Sequence, residues 1–257
     1  MGCTIFGGVQ KEQYQFNVDS LWTGNDTTDY GAFQNFGYLS IELGGDGEDT
    51  DYRRELNLSR AVSRVSYRRK GVHYLRETFC SHPGQVMISR LTADATGQYT
   101  GRITLNDTRK AETKTDSGRI SFTGVLPNGM VYEVQVLVMT DGGTMSAEDE
   151  ALTFKNCNGL TLILAASTSY AMDADKKWKG EHPHKRLMTL VDRTSKKNYT
   201  NLLKCHVADH RTLYDRVRID LGDSGKAVRA KTLDERIKAV QLGGFDPDLE
   251  ELVTVHG

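Results

Sequence analysis

The stretch AVSRVSYRRKGVHYLRETFCSHPGQVMISRLTA, residues 61–93, decides the fold. Small, apolar and charged side chains alternate with a period of two in AVSRVSYRRK (61–70), VHYLRETFCS (72–81) and QVMISRLTA (85–93). That period belongs to a strand with one face on a core. Gly71 breaks RRKGVHY where a hairpin turn needs positive φ. The same reading extends to YLSIEL (38–43), GRITLND (101–107), RISFTGVL (119–126), VYEVQVLVMT (131–140) and LTLILAAST (160–168). LPNGMVY is a second hairpin, with Asn128-Gly129 at its turn. Asn156-Cys157-Asn158, just before LTLILAA, reads as a third hairpin turn. Many short strands separated by Gly, Asn and Asp predict a mainly β protein, a large antiparallel β-sandwich, rather than βαβ units.

Past residue 180 the period lengthens. Leu187, Leu190 and Val191 suit a helix that starts near Pro183. Tyr199, Leu202, Leu203, His206 and Val207 fall on one face of a second helix. Thr232 to Leu242 forms a third, stopped by Gly243-Gly244. A fourth opens at Asp246, the N-cap, with Pro247 in the first turn. RVRIDLG (216–222) alternates like a strand. The expected organisation is a sandwich over 1–180 and a short helical linker region with one strand over 181–257.

Composition excludes several classes. Lys and Arg number 33 against 34 Asp and Glu, a net charge of −1 over 257 residues, with no basic stripe for nucleic acid. The longest apolar run, LTLILAA at 160–166, is far shorter than a membrane span. The four cysteines, Cys3, Cys80, Cys157 and Cys205, form no C-x-x-C pair, so buried free thiols are expected and zinc is not. MGCTIFGGVQ has neither the basic run nor the apolar core of a secretory leader. The compartment is left open, with an extracellular or periplasmic place expected for a longer protein.

Several segments together resemble one family. They are FGGVQKEQYQFNVDSLWTG, YRRELNLSRAVSRVSYRRKGVHYLRETFCSHPGQVMISRL, LAASTSY, HVADHRTLYDRVRIDLG and DERIKAVQLGGFDPDLEELV. In this order and spacing they are similar to the N-terminal part of glycoside hydrolase family 95 α-L-fucosidases. The resemblance implies an N-terminal β-sandwich and a helical linker, followed by an (α/α)6 barrel that carries the catalytic site. It implies release of terminal, typically α-1,2-linked L-fucose with inversion, and no metal or other cofactor. The family's catalytic Glu, Asp and paired Asn belong to the barrel, so no catalytic residue transfers to this chain. The first strand of the sandwich and the whole barrel are expected to be missing, and the chain alone to be inactive. Fucosylated glycans, met through the full-length enzyme, and the barrel are the implied partners. A dimer through an orphaned interface is a further expectation.

The residues leave two readings of FNVDSLWTGNDTTDYG (16–31) open. Asn17, Asp19, Trp22, Asn25 and Asp26 combine an aromatic ring with planar polar groups, as a sugar site needs. Turn chemistry accounts for the same residues without a ligand. AMDADKKWKGEHPHKR (171–186) is alike: Trp178, with His182 and His184, could line a sugar site, or the segment is a solvated loop. Asn17, Asp19, Trp22, Trp178 and His182 are therefore the candidate substrate-rim or interface residues. Glu42, Glu55, Glu77 and Glu133 alternate with apolar neighbours and are expected on the solvated outer faces of strands. His206 is expected to pack on its helix face; it and His210 lack a third metal ligand. The alternative function is a stand-alone carbohydrate-binding or interaction module.

Overall fold

The computed structural model of the chain describes residues 1–24 and 31–256. Asn25 and Asp26 lie outside the described residues. Strands run in the order β1 (Gly2–Ile5), β2 (Lys11–Asn17), β3 (Trp22–Thr23), β4 (Ala32–Phe33), β5 (Gly37–Leu43), β6 (Asp49–Asn57), β7 (Val62–Arg69) and β8 (Val72–Ser81). They continue with β9 (Val86–Ala93), β10 (Tyr99–Asp107), β11 (Thr113–Asp116), β12 (Arg119–Val125), β13 (Val131–Asp141), β14 (Thr144–Glu148), β15 (Ala151–Cys157) and β16 (Gly159–Thr168). Helices follow: α1 (His184–Ser195), α2 (Tyr199–Tyr214), α3 (Lys226–Arg229), α4 (Leu233–Gln241) and α5 (Pro247–His256).

All pairing is antiparallel. One sheet has six strands, ordered β1-β2-β5-β10-β15-β14, a second has eight, ordered β11-β12-β13-β16-β9-β8-β7-β6, and β3 and β4 pair as a small third. The β7–β8 hairpin turns through Lys70 (φ 51°) and Gly71 (φ 83°), both left-handed, as a tight two-residue turn demands. In LPNGMVY only Gly129 (φ 79°) is left-handed; Asn128 instead uses its side-chain oxygen to accept from the Met130 amide at 3.1 Å. Asn156-Cys157-Asn158 is not a hairpin turn. β15 belongs to the small sheet and β16 to the large one, so the chain crosses between sheets there. Asn158 holds that crossing by donating its amide to the Asp141 carbonyl at 2.7 Å and accepting from the Gly97 amide at 2.9 Å.

The core between the sheets includes Tyr14, Phe16, Leu39, Ile41, Ile103, Val134, Val136, Leu162 and Leu164. A second apolar layer covers the outer face of the large sheet. There Phe79, Ile88, Ile163 and Ala165 meet Leu187 and Val191 of α1 and Leu202 of α2. β16 is thus apolar on both faces, which accounts for its unbroken run of apolar residues. His206 packs as expected, stacked on Phe79 with ring centroids 4.6 Å apart and hydrogen-bonded through Nε2 to the Ala61 carbonyl at 3.0 Å. All four cysteines are free thiols. Cys157 is buried, Cys3 and Cys80 half-buried, and Cys205 exposed, so burial does not extend to the last. Burial pushes the Cys80 thiol up to about 11.

The chain divides into two compact units, Met1–Arg211 and Thr212–Gly257. The second is organised around Asp246. Its carboxylate accepts two bonds from Arg236, at 2.7 and 2.8 Å, one from the Ser224 hydroxyl and one from the Leu249 amide that caps α5. The Arg236 guanidinium holds that carboxyl well below the usual range. The strand expected over 216–222 does not form. Val217, Ile219 and Leu221 alternate, but the segment has no ladder partner among the described residues, and alternation alone makes no strand. No described helix is long and apolar enough to cross a membrane.

One ion pair links the two sheets through the core. Glu12 on β2 is fully buried, and Arg76 on β8 is 3 % exposed and donates to its carboxylate. Glu12 also accepts from the Gly7 and Gln13 amides, and Arg76 donates to the Gly8 carbonyl. Arg76→Met strands the Glu12 charge and should cost about 3–5 kcal/mol in urea denaturation, whereas Glu12→Gln combined with Arg76→Met should cost much less. A loss below about 1 kcal/mol for the single variant would show that the pair does not hold the sheets.

Candidate saccharide cleft

The two polar loops singled out in the sequence meet. Residues 18–24 leave the end of β2, and residues 169–183 connect β16 to α1. Both line one cavity of about 790 Å³, together with the end of β16 and the start of α1. The approach is fixed by side chains. The Ser20 hydroxyl bonds the Thr168 hydroxyl at 2.7 Å, and the Asn128 amide donates to the Trp22 carbonyl at 3.1 Å.

Trp22 stands on one wall. Its indole N–H donates to the Asp19 carbonyl at 2.7 Å, and its ring leans on Phe33 with centroids 5.3 Å apart. The other loop that lines the cavity is closed by the Tyr170–Lys179 bridge and by the Gly180 amide on the Ser169 carbonyl at 2.6 Å. Inside it the Trp178 amide donates to the Asp173 carbonyl at 2.9 Å. Lys177 (φ 54°) and Trp178 (φ 62°) are both left-handed, which costs a residue with a side chain about 1–2 kcal/mol. The result is a Trp178 ring within 5° of parallel to Tyr170, centroids 6.4 Å apart.

Polar groups border the rings. The Asp19 carboxylate has no hydrogen-bond partner among the described residues. Arg186 of α1 also lines the cavity and donates to the Ser167 hydroxyl. Of the five candidate residues, Asp19, Trp22 and Trp178 line the cavity and Asn17 and His182 do not. Asn17 shapes the turn instead, donating to the Gln34 carbonyl at 2.7 Å and accepting from the Val18 amide at 2.9 Å. Tyr170 and Arg186 were missed by the sequence reading. Only the fold brings them beside Trp22.

His182 and His184 gather around Glu133 instead. His184 Nδ1 is 2.7 Å from one Glu133 oxygen, which also accepts from Gln135 at 2.5 Å. His182 Nδ1 lies 3.6 Å from the other oxygen, which has no hydrogen bond. Glu133 is fully buried, not solvated. Alternation places it correctly on the outer face of the sheet, but α1 and its leading loop cover that face. Glu42 stays half-exposed beside Lys11, whereas Glu77 is 14 % exposed between Arg64 and Tyr199. Among the described residues no three His, Cys, Asp or Glu side chains converge as metal ligands.

Sequence comparison gives this β-sandwich, with helices on one outer face, a family. A family model described as "Glycosyl hydrolase family 65, N-terminal domain" matches residues 25–173, more than half of the chain, and the chain belongs to that family. A second, "Glycosyl hydrolase family 95 catalytic domain", matches residues 198–257. The chain is similar to "Alpha-L-fucosidase 2" of Arabidopsis thaliana, 24% identical over 100% of this chain and 38% of that protein. "Probable alpha-fucosidase A" of Aspergillus niger is 27% identical over 100% of this chain and 39% of its own length. The Aspergillus oryzae protein of the same name is 26% identical over 93% and 36%. The resemblance to the N-terminal part of a family 95 fucosidase therefore holds. The chain spans under two fifths of the length of these relatives.

The left-handed pair in the cleft loop gives a prediction. Lys177→Gly removes the side-chain clash at φ 54° and should raise stability by about 0.5–1 kcal/mol in urea denaturation. A destabilised variant would mean that Lys177 is held there by contacts rather than strained.

Proposed function

We propose that this chain is the N-terminal, non-catalytic portion of an α-L-fucosidase. In this reading the sandwich, 1–180, and the helical region, 181–257, support an (α/α)6 barrel that hydrolyses terminal, α-1,2-linked L-fucose with inversion. The cleft loops form part of the rim where the fucosylated glycan enters. The observation that carries the reading is similarity to α-fucosidases along the whole chain at under two fifths of their length.

The carboxylates support inactivity of the chain alone. Inverting hydrolysis needs an acid and a base roughly 6.5–9.5 Å apart with water between them. The buried carboxylates are already engaged: Glu12 by Arg76, Glu133 by His184 and Gln135, and Asp246 by Arg236. Asp19 is the one carboxylate among the described residues lining the cleft. The second unit supports a scaffold role, because Val217, Leu221, Leu233, Leu242, Phe245 and Val253 stay at least half exposed. Such a concentration of apolar side chains in 46 residues suits a surface that another part of the protein covers.

A second reading, a stand-alone saccharide-binding module, draws on one observation, the aromatic rings left half in water around the cleft.

The purified chain should release no fucose from a terminal α-1,2-fucosylated oligosaccharide above a heat-killed control. Expressed in one polypeptide with a downstream barrel, it should support release, and Trp22→Ala should raise KM about tenfold with kcat unchanged. Fucose release by the chain alone would overturn the reading.

A further inference from the structure

Turn chemistry accounts for the polar residues of the cleft but not for its rings. Trp22, Tyr170 and Trp178 are 47%, 41% and 48% exposed. Large aromatic rings contribute most when buried, so three of them held at one opening need a reason. For Trp178 the arrangement even opposes local preference, because its backbone sits at φ 62°, where a bulky residue is rare. Strain of this kind persists where the surroundings enforce it, and here the Tyr170–Lys179 bridge and the Asp173 carbonyl do so.

The shape of the aromatic surface narrows the ligand. Tyr170 and Trp178 lie within 5° of parallel at 6.4 Å, a stacked pair that stays about half exposed at the opening. Trp22 faces the same cavity from the other loop. A flat aromatic face complements a pyranose whose hydroxyls are equatorial, since its axial C–H bonds then make an apolar face. The equatorial hydroxyls point sideways, towards the cleft's polar groups. Asp19 can accept from a vicinal pair of hydroxyls, and Arg186 can donate. One anion and one cation at the same opening match a neutral ligand. A phosphate-bearing ligand would meet Asp19 with a single guanidinium to offset it. The cavity, about 790 Å³, lies within the range that encloses ligands larger than one sugar ring.

We infer that the cleft is a saccharide site of this chain in its own right, taking a neutral, equatorially substituted hexopyranose within a glycan chain rather than a terminal deoxy sugar. The inference rests on the reading of the cleft as a glycan rim and deepens it. It makes the sandwich the part that holds the glycan's body, leaving its fucosylated end to residues elsewhere.

The test is isothermal titration of the 257-residue chain with cellotetraose and, separately, with L-fucose. Cellotetraose should bind saturably at sub-millimolar to millimolar concentration, and L-fucose should not. Trp178→Ala and Trp22→Ala should each weaken binding about tenfold, while Trp178→Phe should stay within about threefold of the parent. Asp19→Asn should weaken it severalfold. Circular dichroism of each variant separates lost binding from lost folding. No cellotetraose binding by the folded chain, binding that survives Trp178→Ala, or equal binding of L-fucose would each overturn the inference. The failures are distinguishable. A higher KM for Trp178→Ala in the barrel-containing enzyme, with no binding by this chain, sinks the inference and leaves the rim reading. An unchanged KM together with no binding sinks both.

Discussion

β16 is buried on both faces, and the site follows from that constraint. Leu162 and Leu164 point into the sandwich, while Ile163 and Ala165 point outward. An outer face this apolar has to be covered, and Leu187 and Val191 of α1 cover it. To reach that face the chain must turn back at the end of β16, and the turning segment is the loop that carries Tyr170 and Trp178. The Ser20–Thr168 hydrogen bond ties the other aromatic stretch to the same strand end. The cleft is therefore a consequence of how the large sheet hides its second face.

The same constraint explains Glu133. A carboxylate on the outer face of a sheet is ordinarily solvated, but here the covering helix closes over it. Its charge is then met by Gln135 and by histidines from the segment that enters α1. A buried acid with two histidines beside it invites a catalytic reading. Its position under α1, with neither histidine lining the aromatic cleft, instead makes it an anchor for the helix start. Glu12 and Arg76 play the matching part inside the sandwich, joining the two sheets by charge.

Much of this was legible in the sequence where one residue type does one thing. Strands such as β7, β8 and β13 show themselves by alternation, and α1, α4 and α5 by Pro183, Thr232 and Asp246 at their starts. β6 was not legible, because an edge strand exposed on both faces carries charges throughout DTDYRRELN. Segment 216–222 failed the opposite way: it alternates, but among the described residues no strand pairs with it. In the site, Trp22 and Trp178 could each be noticed as rings in polar loops. Their meeting could not, since it depends on the sandwich bringing the ends of β2 and β16 together. Family resemblance supplied the sandwich and the fucosidase kinship. It could not supply the Tyr170–Trp178 ring pair, which rests on two left-handed residues that no composition rule marks.

The central claim is that α1, by covering β16, sets the cleft. It can be tested in a Trp22→Phe background, where Trp178 is the one remaining tryptophan. Val191→Asp places a charge in the layer between α1 and the sheet and should undock the helix. The account predicts that acrylamide quenching of Trp178 then rises towards that of free tryptophan while the β signal in circular dichroism persists. Quenching unchanged by Val191→Asp, in a protein whose α1 is shown by hydrogen exchange to have come loose, would contradict it.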